Sequence, residues 1–258
     1  MAAERPARRA VRLCPVVGDW GEAYAEAAPV ELLAGLAPRL SGLTALFMGE
    51  MVMEQSEISW ITQADPAPLL AAYPGLEVLR IRGATEGLTL TPTRHTALRE
   101  LAIEAGGLPG HVVRAIVECD LPALAHLELW LGTDQYGGDA TVVDLAPILG
   151  GARLPSLVSL GLRNAEIADQ VAAAVAGAPV VARLRELDLS LGVLSDEGAA
   201  ALLAGQPLTH LRRLDPHHHY LSGELADRLV AELPGVEVDL SDVQRADRDG
   251  DRYVAVDE

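Results

Sequence analysis

Aromatic side chains are scarce in this chain: one Phe, three Trp and five Tyr in 258 residues. A ring-filled interior is excluded, and the core has to be built from Leu, Val, Ile and Ala. Cysteine is scarcer still. Cys14 and Cys119 are isolated thiols in a chain without an export pattern, expected reduced and buried rather than bridged. Positive charge is also short, with 20 basic residues against 37 acidic ones and a net charge of −17. Such a field repels phosphate backbones and anionic bilayers, so neither nucleic acid nor membrane is an expected partner. No apolar h-region follows the basic start MAAERPARR, and VRLCPVV at 11–17 is too short for a signal or a span. A cytoplasmic protein is expected. Catalytic signatures are missing too: no GxSxG, no Walker loop, no GxGxxG after a strand, no HExxH. His111, His126 and His210 fall in separate segments with no obvious third group, so no catalytic residue and no cofactor are assigned.

Hydrophobic residues make up 50% of the chain, enough for a sizeable core, and they recur in one pattern. LRELDL at Leu184 reads as a short strand whose Leu184, Leu187 and Leu189 point inward, followed by a turn and an apolar helix ending at Gly205. The same unit starts at Leu43 (LTALFM), Leu76 (LEVLRI), Leu98 (LRELAI), Leu124 (LAHLEL), Leu157 (LVSLGL) and Leu211 (LRRLDP), with a degenerate VEVDL at Val236. The intervals are 33, 22, 26, 33, 27 and 27 residues, about 28 on average, within the solenoid range. Helical patterns fill the gaps, several ending in Gly or Pro-Gly, and SDEG at 195–198 supplies a cap and acidic residues at a helix start.

This combination of LxxLxL with a long amphipathic helix resembles leucine-rich repeats of the ribonuclease-inhibitor type, over roughly three-quarters of the chain. The resemblance implies an α/β horseshoe solenoid of about seven repeats, with parallel strands on the concave face and helices on the convex face. It divides the chain into an N-terminal arm with a capping strand and helix (1–42), the solenoid (43–241) and an acidic C-terminal tail (242–258). The sequence departs from the family pattern at the turn, where Ala84, Gly106, Gly132 or Gly192 stands in place of the usual Asn or Cys, so no side-chain amide ladder is assured there. FMGE at Phe47, EISWI at Glu57 and the terminal RYVAVDE are similar to a group of uncharacterised cytoplasmic bacterial leucine-rich-repeat proteins, often encoded beside radical-SAM-like enzymes. That likeness implies a partner role in a small pathway.

Strand alternation sets which side chains leave the core. Three columns on the concave face follow: Ala45, Val78, Glu100, His126, Ser159, Glu186 and Arg213; then Phe47, Arg80, Ala102, Glu128, Gly161, Asp188 and Asp215; then Gly49, Arg82, Glu104, Trp130, Arg163, Ser190 and His217. The register exposes Phe47 and Trp130, and aromatics with Arg are typical interface anchors. Arg80 and Arg82 make an early part of the face basic, whereas Glu186, Asp188 and Asp215 make the later part acidic. Partner-binding residues are therefore expected among Phe47, Arg80, Arg82, His126, Glu128, Trp130, Arg163, Glu186, Asp188, Asp215 and His217, for a partner with a basic segment and an aromatic pocket. The plain alternative is a solvated face with incidental charge.

Four further features need a reading. The long loop at 51–66 is expected to fold back over the N-terminal edge, with Ile58, Trp60 and Ile61 as plugs, or else to join the binding side, as the Gly-rich loop at 132–144 also would. In DPHHHY at 215–220, His217 and His219 are the pair able to share a metal on an extended strand, yet no supporting ligand motif accompanies them and no metal is assigned. Asp247, Asp249, Asp251 and Glu258 only faintly resemble a calcium loop, since the glycine is misplaced. The tail ends in the β-prone YVAV, where Tyr253, Val254 and Val256 either meet a partner or pack on the last repeat. The function expected is a non-catalytic protein-binding scaffold. The alternative is a recognition body whose tail is bound or modified by a clustered radical-SAM-like enzyme.

Overall fold

Alternate apolar residues in each repeat leave one strand face to bury, and stacking successive units buries it. The computed structural model describes residues 9–13, 28–51, 56–84 and 87–256, with backbone only at 9–13, 28 and 29; Cys14 lies outside them. Among these residues, nine strands form one sheet in strictly sequential order, every neighbouring pair parallel. They are β1 (Arg9–Leu13), β2 (Leu43–Met48), β3 (Val78–Arg82), β4 (Glu100–Glu104), β5 (His126–Gly132), β6 (Ser159–Ala165), β7 (Glu186–Asp188), β8 (Arg213–Asp215) and β9 (Glu237–Val238). The helices are α1 (Ala28–Gly35), α2 (Ala67–Ala72), α3 (Gly110–Glu118), α4 (Val142–Leu149), α5 (Ala168–Ala176), α6 (Asp196–Ala204) and α7 (Gly223–Glu232). Each lies in the crossover between consecutive strands, except that the described residues between β3 and β4 form none. Sequential parallel strands with helices in the crossovers make this chain an α/β leucine-rich-repeat solenoid.

The core is a column of leucines. Leu46, Leu79, Leu101, Leu127, Leu160, Leu187 and Leu214 are direct cross-strand partners and all buried, each stabilising the stack by roughly 2 kcal/mol. The 22-residue unit between β3 and β4 is too short to hold a helix as well as its strand. There a buried imidazole links segments instead: His95 Nε2 lies 3.1 Å from the Tyr73 carbonyl, and Nδ1 accepts the Leu98 amide at 3.0 Å.

At the turns, backbone replaces the missing amide ladder. Thr133 N donates to Gly106 O (2.8 Å), Glu166 N to Gly132 O (3.1 Å) and Val193 N to Ala165 O (3.2 Å). Gly132 allows this approach. Its φ is +68°, and a Cβ there would lie 1.8 Å from Gly106 O. In the repeat that begins at Leu211, His219 stands at the turn position corresponding to Gly132 and Gly192, and its buried imidazole joins Leu240 O (3.1 Å) and the Leu221 amide (3.1 Å).

The 51–66 loop corrects part of its expectation. Ile58 and Ile61 are buried, but Trp60 is 55% exposed and plugs nothing. Its described residues, 51 and 56–66, pack at the carboxyl ends of β2 and β3, where Arg82 Nη1 donates to Met51 O (2.9 Å) and Gln63 Nε2 to Arg82 O (2.7 Å). Cys119 is buried and free.

Candidate partner-binding face

The pairing register places Ala45, Val78, Glu100, His126, Ser159, Glu186 and Arg213 in one row across the sheet. The next row out holds Phe47, Arg80, Ala102, Glu128, Gly161, Asp188 and Asp215. Arg82 and Trp130 pair with Glu104 and Arg163 in the third. A groove of about 450 Å³ lies over the middle of this face, floored by Ala102 and Gly161 and walled by charged side chains from β3 to β8.

Two expectations about the face are corrected. Phe47 and Trp130 are half-buried rather than open anchors, because an Arg lies over each ring. Arg82 sits 5.7 Å from the Phe47 centroid and Arg163 5.2 Å from that of Trp130. Nor is the early part free cationic surface. Arg80 pairs with Glu100 (2.7 Å), and Arg82 with the buried Glu104 (2.7 Å).

The same device repeats further along. Arg163 contacts Glu128 (2.8 Å) and Asp188 (3.3 Å), while the Trp130 indole N–H donates to Glu128 (2.7 Å). Arg213 contacts Asp215 (2.8 Å), Asp239 (3.1 Å) and Glu237 (3.4 Å). Burial raises the Asp188 carboxyl above the ordinary aspartate value, opposed by Arg163 and by hydrogen bonds from Ser190, with Asp215 adding a further upward push. His126 and Glu186 stay exposed, and among the described residues Glu186 accepts only the Ser159 hydroxyl (3.1 Å).

The histidine cluster is split by the fold. His217 lies on the concave face against Asp215 (2.7 Å), whereas His219 is buried in the turn, so the two cannot share an ion. Asp215, His217 and Asp239 do bring ligand atoms within 4.8 Å of one another. Arg213 bridges both carboxylates there and supplies the cation itself. In the tail, Asp247 Oδ1 accepts the amides of Asp249 and Asp251, both at 2.9 Å, which makes a turn of these three residues; Glu258 lies outside the described residues.

The tail's three expected residues separate as well. Tyr253 is exposed, Val254 is 7% exposed and joins the core, and Val256 is held through its main chain by Asn164. Asn164, Leu191 and Arg252, which hold this segment in place, carry no strong local signal. A left-handed Asn after a strand is the only hint, and φ is not visible in sequence.

The fold and face define the class, a leucine-rich-repeat solenoid with a charged concave groove. No protein-family profile matches the chain, and no curated protein does. The crystal structure of a Bacteroides fragilis protein solved as a structural-genomics target is similar at 34% identity and a TM-score of 0.81, covering 87% of this chain. The chain spans 64% of the length of that protein. An internalin from Listeria monocytogenes aligns at 16% identity and a TM-score of 0.41, over 82% of this chain and 59% of its own. No helix among the described residues is long and apolar enough to cross a membrane.

Proposed function

We propose that this chain is a cytoplasmic, non-catalytic scaffold of the ribonuclease-inhibitor-like type, whose concave groove binds a cationic segment of a partner protein, a pathway enzyme among the candidates. The charge arrangement of the groove carries the reading. Its lining has five carboxylates, Glu100, Glu128, Glu186, Asp188 and Asp215, against three guanidiniums, Arg80, Arg163 and Arg213. Each of those arginines already contacts at least two carboxylates. A positive charge is what the groove lacks, and Glu186 and His126 are open to meet it. Ion pairs fixed before binding leave little ordering for a partner to impose.

Capture from the native host with wild type and with Glu186→Lys tests this reading. The partner should be lost, or bound at least about tenfold more weakly, with the variant, and its retention should fall with salt. A partner retained unchanged by Glu186→Lys would remove the concave face from recognition. For the alternative, in which the tail is the modified end, an enzyme would first have to lift residues 252–256 from their docked position.

A further inference from the structure

Past the concave face, on the rim where the chain leaves the strands, four units in a row carry left-handed residues at the same step. These are Asn164, Leu191, His218 and Asp242, with φ of 52, 67, 58 and 60°. Asn and Asp enter that region readily, but Leu does not. Strain of this kind persists where its surroundings enforce it and gathers at ligand clamps. Here the groups presented along the rim hold an extended segment, residues 252–256.

The segment is bound as peptides are bound. Its main chain is read at three residues: Tyr253 O accepts from Tyr220 Oη (3.0 Å) and faces His218 Nε2 (3.2 Å), and Tyr253 N donates to Tyr220 Oη (2.8 Å). Ala255 N donates to the Leu191 carbonyl (2.8 Å). Val256 N donates to Asn164 Oδ1 (3.0 Å), and the Asn164 amide nitrogen donates back to Val256 O. Side chains alternate in what they meet. Val254 is buried, and Arg252, though exposed, reaches back to Asp169 (3.4 Å) and the Val193 carbonyl (3.2 Å) beside the Tyr220 ring, while Tyr253 and Ala255 face out. Main-chain bonds of this kind supply affinity, and pockets for alternate side chains supply selectivity. The residues before it, 245–251, are exposed, so the segment can leave without opening a repeat.

We propose that this rim slot is a peptide-binding site for an extended partner segment with an arginine two positions before a small aliphatic residue, and that residues 252–256 occupy it in cis. A short tether holds such a segment at an effective concentration of order mM, so the trans ligand binds when the tail is released.

Fluorescence anisotropy of a labelled RYVAVDE peptide against the full-length chain tests the proposal. Val254→Asp, which expels the tail, should bind the peptide at least tenfold more tightly than wild type does, and Arg252→Glu should act in the same direction. Adding Asn164→Gly to Val254→Asp keeps the left-handed backbone but removes the amide, and should return binding to the wild-type level. Equal binding by wild type and both tail variants, or equal binding of a scrambled peptide, overturns the site. In the wild type, the Ala255 and Val256 amides should exchange at least tenfold more slowly than in the free peptide; exchange at the free-peptide rate overturns cis occupancy.

Discussion

Arg163 can join Glu128 and Asp188 because Gly161 lies between them. A Cβ at Gly161 would come within 3.3 Å of Glu128 Cγ and 3.5 Å of the Arg163 side chain, so a methyl group would already touch both partners and a longer side chain would compete with them for the groove floor. The chain contains no lysine, and all 20 of its basic residues are arginine. A planar fork with five donors spans two carboxylates on neighbouring strands, which an ammonium does less well. Asp188 remains the costly member. Its half-buried carboxyl titrates above the ordinary value of 3.8 because desolvation outweighs Arg163 and the hydrogen bonds from Ser190. The native state therefore binds a proton more readily than the unfolded chain, and stability from this group falls as pH rises from 3.8 through the raised native value. Asp188→Asn removes that loss while keeping an acceptor for Ser190. In urea unfolding the variant should gain on wild type as pH rises above about 4. A difference that stays flat with pH would contradict it.

Two elements use histidine where a polar turn side chain is needed. In His219, Nε2–H donates to Leu240 O and Nδ1 accepts from Leu221 N, an arrangement that only the neutral ring can make. His95 is placed in the same way. Burial lowers the His219 pKa below 6.5, with Leu240 and Asp242 opposing. The unfolded chain then takes up a proton that the native turn refuses, so stability from this ring is lost as pH falls below 6.5. His219→Ala should cost about 2–3 kcal/mol near neutral pH through unpaired buried groups. That cost should shrink as pH drops toward about 5 in paired denaturation curves, and a cost constant over that interval would count against the neutral bridge. The seven strands β2 to β8 were legible because a period of two and one leucine-rich unit per repeat are local patterns. The concave rows followed from the same pattern. The cover over Trp130 was not legible, since it depends on where the Arg163 side chain lies above a bare Gly161. His219 read as a possible ligand because an extended strand was assumed, and the left-handed His218 breaks that alternation.

At the scale of the molecule, a solenoid couples each repeat only to its neighbours, and the tail is an exception to that rule. Val256 meets Asn164 across 92 residues, which staples the C-terminal cap to β6. No local pattern could announce this, because the contact depends on the left-handed Asn164 and Leu191 facing the tail. The staple changes how damage should spread. Leu187 is buried in β7 between Leu160 and Leu214. Leu187→Asp removes its packing and buries a charge, at a cost of at least about 4 kcal/mol. Neighbour coupling alone would give a loss of amide protection that fades on both sides of β7. With the tail stapled, β6 through β9 and residues 252–256 should lose protection together, while β2 and β3 keep theirs. Hydrogen exchange on Leu187→Asp distinguishes the outcomes: a symmetric fade around β7 with the tail still protected contradicts the staple, and uniform loss across the sheet shows one cooperative unit instead.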